Sequence, residues 1–109
     1  MRDILNIALE AHNHERNHHR RYEVSVERDL LGDWLVTIRF GRVGGGTQER
    51  RFGCADADAA QRVVRAHLRR RLSAPRRIGC AYRVLSLGSP SSVLNVWMPE
   101  DCRQALGVR

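Results

Sequence analysis

The chain has 109 residues and a formal net charge of +7, and all nineteen of its basic residues are arginine. That length suits one domain with a modest core and excludes a second. No run of 18 apolar residues exists, and no basic n-region followed by an apolar h-region opens the chain, so a soluble, unexported, cytoplasmic protein without membrane contact is expected. Cys54, Cys80 and Cys102 are an odd number without C-x-x-C spacing, which argues against a disulfide framework and a structural zinc site and suits a reducing compartment. Residues 59–99 carry eight arginines and no acidic residue. Such asymmetry implies an anionic partner, most often nucleic acid. An arginine-rich codon bias would also raise the charge, but the clustering weighs against it.

From the N-terminus, Ile4, Leu5, Ala8 and Leu9 fall at helical spacing within Arg2 to Ala11 and predict a short amphipathic helix. His12 to His19 holds the only histidine cluster, with His14 and His18 four apart as in some metal sites. No cysteine or acid stands at a second fixed spacing, so a solvated polar connector is the reading and no metal is assigned. Tyr22 to Arg28 alternates cleanly, a half-buried strand with Tyr22, Val24 and Val26 on one face. Asp29 to Asp33 reads as a hairpin connection. The next strand places Trp34, Val36, Ile38 and Phe40 on one face and Leu35, Thr37 and Arg39 on the other. Gly44-Gly45-Gly46 is a turn, and the polar run Thr47 to Phe52 suggests an edge strand or an open sheet face.

Asp56 and Asp58 precede a helix expected to reach about Leu72, with Asp58 and Gln61 resembling a capping box. Ala60, Val63, Val64, Leu68 and Leu72 form its apolar stripe, while Arg62, Arg65, Arg69 and Arg70 lie outside it. Ser73-Ala74-Pro75 ends it. Ile78 to Leu85 is expected to return as a strand, Val93 to Met98 to add another, and Glu100 to Leu106 to form a short turn or helix. The fold class is thus α+β: a small antiparallel sheet packed against one main helix, with an N-terminal helix and a C-terminal extension. The expected divisions are 1–21 for the N-terminal helix and connector, 22–85 for the central domain, and 86–109 for an extension packing on it.

The stretch Phe40-Gly41-Arg42-Val43-Gly44 sets a flat ring and a planar cation at the mouth of a glycine turn. Glycine permits close backbone approach, and guanidinium is shaped to grip phosphate. With the Tyr22 strand, Asp29-Leu30-x-Gly32-x-Trp34 upstream, a basic helix downstream and a closing Gly79-x-x-Tyr82, the chain resembles the WGR domain family. Phe40 stands where the signature has Trp. The resemblance spans Tyr22 to Tyr82, and the chain looks like one of the bacterial members that occur alone or in regulator-like proteins. It implies a small antiparallel sheet on a helix, and a module that in poly(ADP-ribose) polymerases contacts DNA near strand breaks. Carried over, it gives Phe40 as the stacking ring against the backbone sugar and Arg42 as the supporting cation. An ADP-ribosyltransferase region is not expected within this length.

The residues themselves leave two matters open. Phe40 is either a core ring on the face of Trp34, Val36 and Ile38, or a ring re-aimed outward by a bulge at Gly41. Arg42 either contacts phosphate or serves structure through an acid such as Glu49 or backbone carbonyls. The favoured function is a non-enzymatic nucleic-acid-binding module, DNA ahead of RNA, for ends or nicks if the resemblance extends that far. Its candidate residues are Arg39, Phe40, Gly41, Arg42, Arg50 and Arg51 around the turn and Arg62, Arg65 and Arg69 on the helix. A protein-interaction module recruiting an acidic partner through the sheet edge or Val93 to Met98 is the alternative. An enzyme is least supported, since no nucleophile–base pair or paired carboxylates stand at recognisable spacing. His67, within the arginine helix, is read as a flank of the packing stripe. No cofactor is expected.

Overall fold

In the computed structural model, which describes residues 2–88 and 91–107, five strands form one antiparallel sheet with helices on one face. The elements in order are β1 (Arg2–Asn13), β2 (His18–Arg28), β3 (Trp34–Arg42), β4 (Thr47–Cys54), α1 (Ala57–Arg71), α2 (Ala74–Ile78), β5 (Arg83–Leu87), α3 (Ser91–Trp97) and α4 (Glu100–Ala105). The sheet runs β4-β3-β2-β1-β5, so the first four strands form a meander. The polar strand β4 is indeed an edge.

Period-two burial explains why the sheet holds. Leu5, Ile7, Leu9 and Ala11 of β1, Tyr22, Val24 and Val26 of β2, and Val36 and Ile38 of β3 all join one buried cluster. Cross-strand register aligns them in rows such as Leu9↔Tyr22 and Tyr22↔Phe40. Ala60, Val64 and Leu68 of α1 are buried against this face, and each fully buried Val or Leu side chain is worth about 1.5–3 kcal/mol.

The expected N-terminal helix is a strand. Ile4, Leu5, Ala8 and Leu9 fit a helical repeat, but Leu5, Ile7, Leu9 and Ala11 also alternate, and each is at most 1% exposed. Pairing with β2 on one side and β5 on the other decides between two periods that a ten-residue window cannot separate. The connector after it is the tip of the β1–β2 hairpin, a four-residue turn closed by the Asn17 amide donating to the His14 carbonyl at 3.2 Å. Asn17 takes the left-handed conformation there, φ 54°, which asparagine tolerates better than most residues.

Two expected C-terminal strands also differ. Val93 to Met98 lies largely in helix α3, where Leu94, Trp97 and Met98 are buried at i, i+3 and i+4 spacing. Residues 74–78 continue as the short helix α2, which ends at Gly79 in the left-handed conformation (φ 79°), so the returning strand starts only at Arg83. The C-terminal helix at Glu100 is present as α4 and seats Cys102 and Leu106 in the core.

The main helix ends within a residue of its expected end, but it starts at Ala57, before Asp58, and its cap is Asp56: the Asp56 carboxylate accepts from the Ala59 amide at 2.8 Å. Asp56→Ala is expected to cost about 1 kcal/mol, read as a lower urea midpoint with an unchanged slope.

Candidate nucleic-acid interface

Alternation along β3 sends consecutive residues to opposite faces, and this divides the arginines around the glycine turn into two groups. Arg39 and Arg51 stand on the open face with Glu49 between them: Arg39 Nε donates to Glu49 at 2.7 Å and Arg51 Nε at 3.1 Å. Arg39, with Arg51 behind it, holds the Glu49 carboxyl below its ordinary range. These two cations are partly neutralised.

Phe40 and Arg50 stand on the helix-covered face. Phe40 is half-buried at the rim of the core, on the face of Val36 and Ile38, and no bulge turns it outward. It is also not sealed in. It lines an open cavity of about 400 Å³ with Arg20, Tyr22, Ile38, Gly41, Arg50, His67, Arg70, Arg71 and Tyr82. Both alternatives for Phe40 therefore meet in one place: a core-facing ring that still presents an edge to solvent through a cleft.

The cleft forms where the last turn of α1 leaves the sheet. Helical spacing brings His67, Arg70 and Arg71 to it, and period two brings Arg20 with Tyr22 from β2. The Arg71 guanidinium lies 4.5 Å from the Tyr22 ring centroid and 6.0 Å from that of Tyr82, and Arg50 lies 5.7 Å from Phe40. Stacked guanidinium planes of this kind keep N–H edges available for an anion. Among the lining residues four are arginines and none is acidic. Arg20 also pairs in register with Arg42, a like-charge juxtaposition that costs stability unless an anion compensates it.

Two buried polar atoms at this cleft, the Tyr22 hydroxyl and Arg71 Nε, lack a hydrogen-bond partner. Buried polar groups are satisfied in the great majority of cases, so an orphaned pair beside a cavity marks a place where something polar can bind. Burial pushes the Tyr22 phenol up to about 12, so it is a neutral donor at physiological pH.

The remaining candidates are dispersed. Gly41 is confined by packing: a Cβ there would lie 2.4 Å from the Gly46 carbonyl oxygen, so only glycine lets the two ends of the turn close. Arg42 is exposed and donates through Nη2 to the Asn17 carbonyl at 3.2 Å, tying the glycine turn to the β1–β2 tip by the backbone route rather than through Glu49. Arg62 is exposed on α1. Arg65 donates to the Val96 carbonyl at 2.6 Å and pins α1 to α3, a structural task. Arg69 is exposed and lies 3.9 Å from Asp101 of α4. Arg20, Tyr22, Arg70, Arg71 and Tyr82 were not among the expected contacts. The shared face of Arg20, Tyr22 and Phe40 was legible in the alternation, but their meeting with the end of α1 depends on tertiary packing. His67 lies at the cleft as a flank of the packing stripe: Nδ1 donates to the Val63 carbonyl at 2.8 Å and the ring packs 5.2 Å from Phe52.

At the β1–β2 tip the imidazoles of His12 and His19, paired in register, approach to 2.9 Å between their Nδ1 atoms. Burial first, then His12, His14, Arg42 and His18, push the His19 imidazole below its ordinary value.

This sheet-and-helix domain, with its arginine-flanked glycine turn, is the class that the family comparison defines. The family model of the WGR domain matches residues 5–74, well over half of the chain, and the chain belongs to that family. The match takes in β1 as well as the glycine turn and α1. No curated protein and no solved structure matches the chain. Among the described residues no helix is long and apolar enough to cross a membrane.

Proposed function

We propose that the protein is a non-enzymatic nucleic-acid-binding module whose contact surface is the arginine cleft at Phe40 rather than the whole circumference of the glycine turn. The observation that carries this reading is the convergence of Arg20, Arg50, Arg70 and Arg71 on an aromatic cavity with no carboxylate in its lining. Arginines of this kind hold backbone phosphates, and the rings of Phe40 and Tyr82 offer faces or edges to a sugar or base. Membership of the WGR family supports nucleic acid as the ligand, with DNA favoured over RNA and ends or nicks as the family-based expectation. Arg39 and Arg51, shared with Glu49, and Arg65, committed to α3, are secondary or absent from the contact.

Fluorescence anisotropy with a nicked duplex, an intact duplex and a single strand, each at two salt concentrations, tests the reading. Salt-sensitive binding is expected, because each neutralised phosphate releases counterions. Preference for the nicked duplex would extend the reading to breaks, equal binding would leave a general phosphate binder, and no binding at low salt would refute it. Arg42→Ala is expected to weaken binding to all sequences and to flatten the salt slope by about one unit. An unchanged slope would restrict Arg42 to its bond with Asn17.

One observation favours a protein partner as a second reading. Leu30 and Leu31, at the β2–β3 turn, are 92% and 88% exposed, while Leu94, Trp97 and Met98 are buried in the core. Any such partner would meet leucines flanked by Asp29 and Asp33, which suits a basic surface better than an acidic one.

A further inference from the structure

The arginine cleft gathers more positive charge than a passing strand can match. Its lining carries the guanidinium groups of Arg20, Arg50, Arg70 and Arg71 and no carboxylate, around a cavity of about 400 Å³. A cavity of that volume is roughly 7 Å on a side, and successive phosphates of one strand advance about 3.4 Å along a duplex axis. A strand crossing it therefore leaves about two negative charges facing four positive ones. The terminal phosphate of a nucleotide alone carries nearly two charges, so a nucleoside di- or triphosphate concentrates roughly three to four in the same space. The volume also falls within the range of about 300–1,000 Å³ typical of small-molecule sites.

The rest of the lining suits a nucleoside. Phe40 is half-buried and offers part of its ring to the cavity, and the Arg50 guanidinium lies beside it, 5.7 Å from the ring centroid. A base laid there meets an aromatic face and a planar cation together. Deeper in, Tyr22 is 1% exposed, and its hydroxyl and the neighbouring Arg71 Nε are the buried polar atoms that lack a partner. Both are donors, and both call for an acceptor oxygen rather than a cation. The lining holds no amide or carboxylate side chain, the groups that read the edge of adenine or cytosine. Phosphate number, not base identity, then sets the affinity.

Given the cleft as the anion-contacting surface proposed above, we propose that it is also a binding site for a free nucleoside polyphosphate. Arg20, Arg50, Arg70 and Arg71 hold the phosphates and Phe40 supports the base. The nucleotide and a nucleic-acid strand occupy the same arginines, so each excludes the other, and the domain's grip on nucleic acid falls as free nucleotide rises.

Isothermal titration of the full chain with ATP, ADP, AMP and GTP, in the absence of magnesium, is the test. A dissociation constant of about 50 µM or tighter is expected for ATP, with ADP about tenfold weaker and AMP about tenfold weaker again, as each lost phosphate removes a charge-assisted contact. GTP should fall within about threefold of ATP, since the lining does not read the base. Arg20→Ala with Arg50→Ala should weaken ATP at least about tenfold, and Arg39→Ala with Arg51→Ala no more than about twofold, because Glu49 already engages that pair. Circular dichroism confirms that both variants keep their fold. ATP should also displace a labelled nicked duplex over the range of its own dissociation constant. No ATP binding while the duplex still binds overturns the nucleotide site and leaves the nucleic-acid reading standing. ATP binding with no duplex binding upholds the nucleotide site and removes nucleic acid as its rival. Inorganic tripolyphosphate binding as tightly as ATP, equal losses in the two double variants, or ATP binding that leaves the duplex in place each overturns the site.

Discussion

Replacing both Arg20 and Arg50 by alanine is expected to weaken nucleic-acid binding at least about tenfold and to lower the salt slope by about two, near 0.9 per lost phosphate contact. Both side chains are exposed and line the cleft, and their removal leaves the apolar core untouched. The pair Arg39→Ala with Arg51→Ala removes the same formal charge from the open face, where Glu49 already occupies both guanidinium groups. That second variant should keep most of the affinity and nearly all of the slope. Net charge alone predicts equal losses, so the contrast separates a built site from a general positive field. Anisotropy titrations of both variants across a salt series read it directly.

The largest stability effect should come from a single methyl group. Gly41→Ala places a Cβ 2.4 Å from the Gly46 carbonyl oxygen and 3.1 Å from the Thr47 Cα. Both neighbours are backbone, so relief requires the β3–β4 hairpin to open, and overpacking of this kind costs about 1–3 kcal/mol. For a domain of this size that corresponds to a melting temperature lower by roughly 5–20 °C. Gly46→Ala, in the same turn, meets nothing within 4 Å and should shift stability by no more than about 0.5 kcal/mol. Equal behaviour of the two variants would show that turn flexibility, not the close approach at Gly41, explains the glycine. A displaced hairpin would also shift Phe40 and Arg50, which line the cleft, so binding should fall with stability in the first variant and survive in the second.

The strands around the glycine turn were legible because one face of each is buried and the other is not. Alternation from Tyr22 to Arg28 and from Trp34 to Phe40 therefore gave the right faces, and the apolar stripe of α1 gave its C-terminal end to within a residue, while its start falls before Asp58 rather than after it. β1 was not, because Ile4, Leu5, Ala8 and Leu9 satisfy two periods at once and only the partners on both sides choose between them. Val93 to Met98 misled for a similar reason: a short apolar run has no length with which to declare its period. The candidate site was legible in part. The motif singled out Phe40, Gly41 and Arg42, and charge clustering singled out the helix arginines. Which arginines are free and which are bound was beyond the sequence, because Glu49, Val96 and Asn17 become partners of Arg39, Arg65 and Arg42 only in the folded chain. The approach of Arg71 to Tyr22 depends likewise on how α1 crosses the sheet.

The most direct test of the cleft is a backbone amide NMR titration of the isotope-labelled protein with a nicked DNA duplex. Shifts concentrated at Arg20, Tyr22, Phe40, Gly41, Arg70, Arg71 and Tyr82 are the expected result. Shifts concentrated instead at Arg39, Glu49 and Arg51 on the open face, or at Leu30 and Leu31, would contradict it.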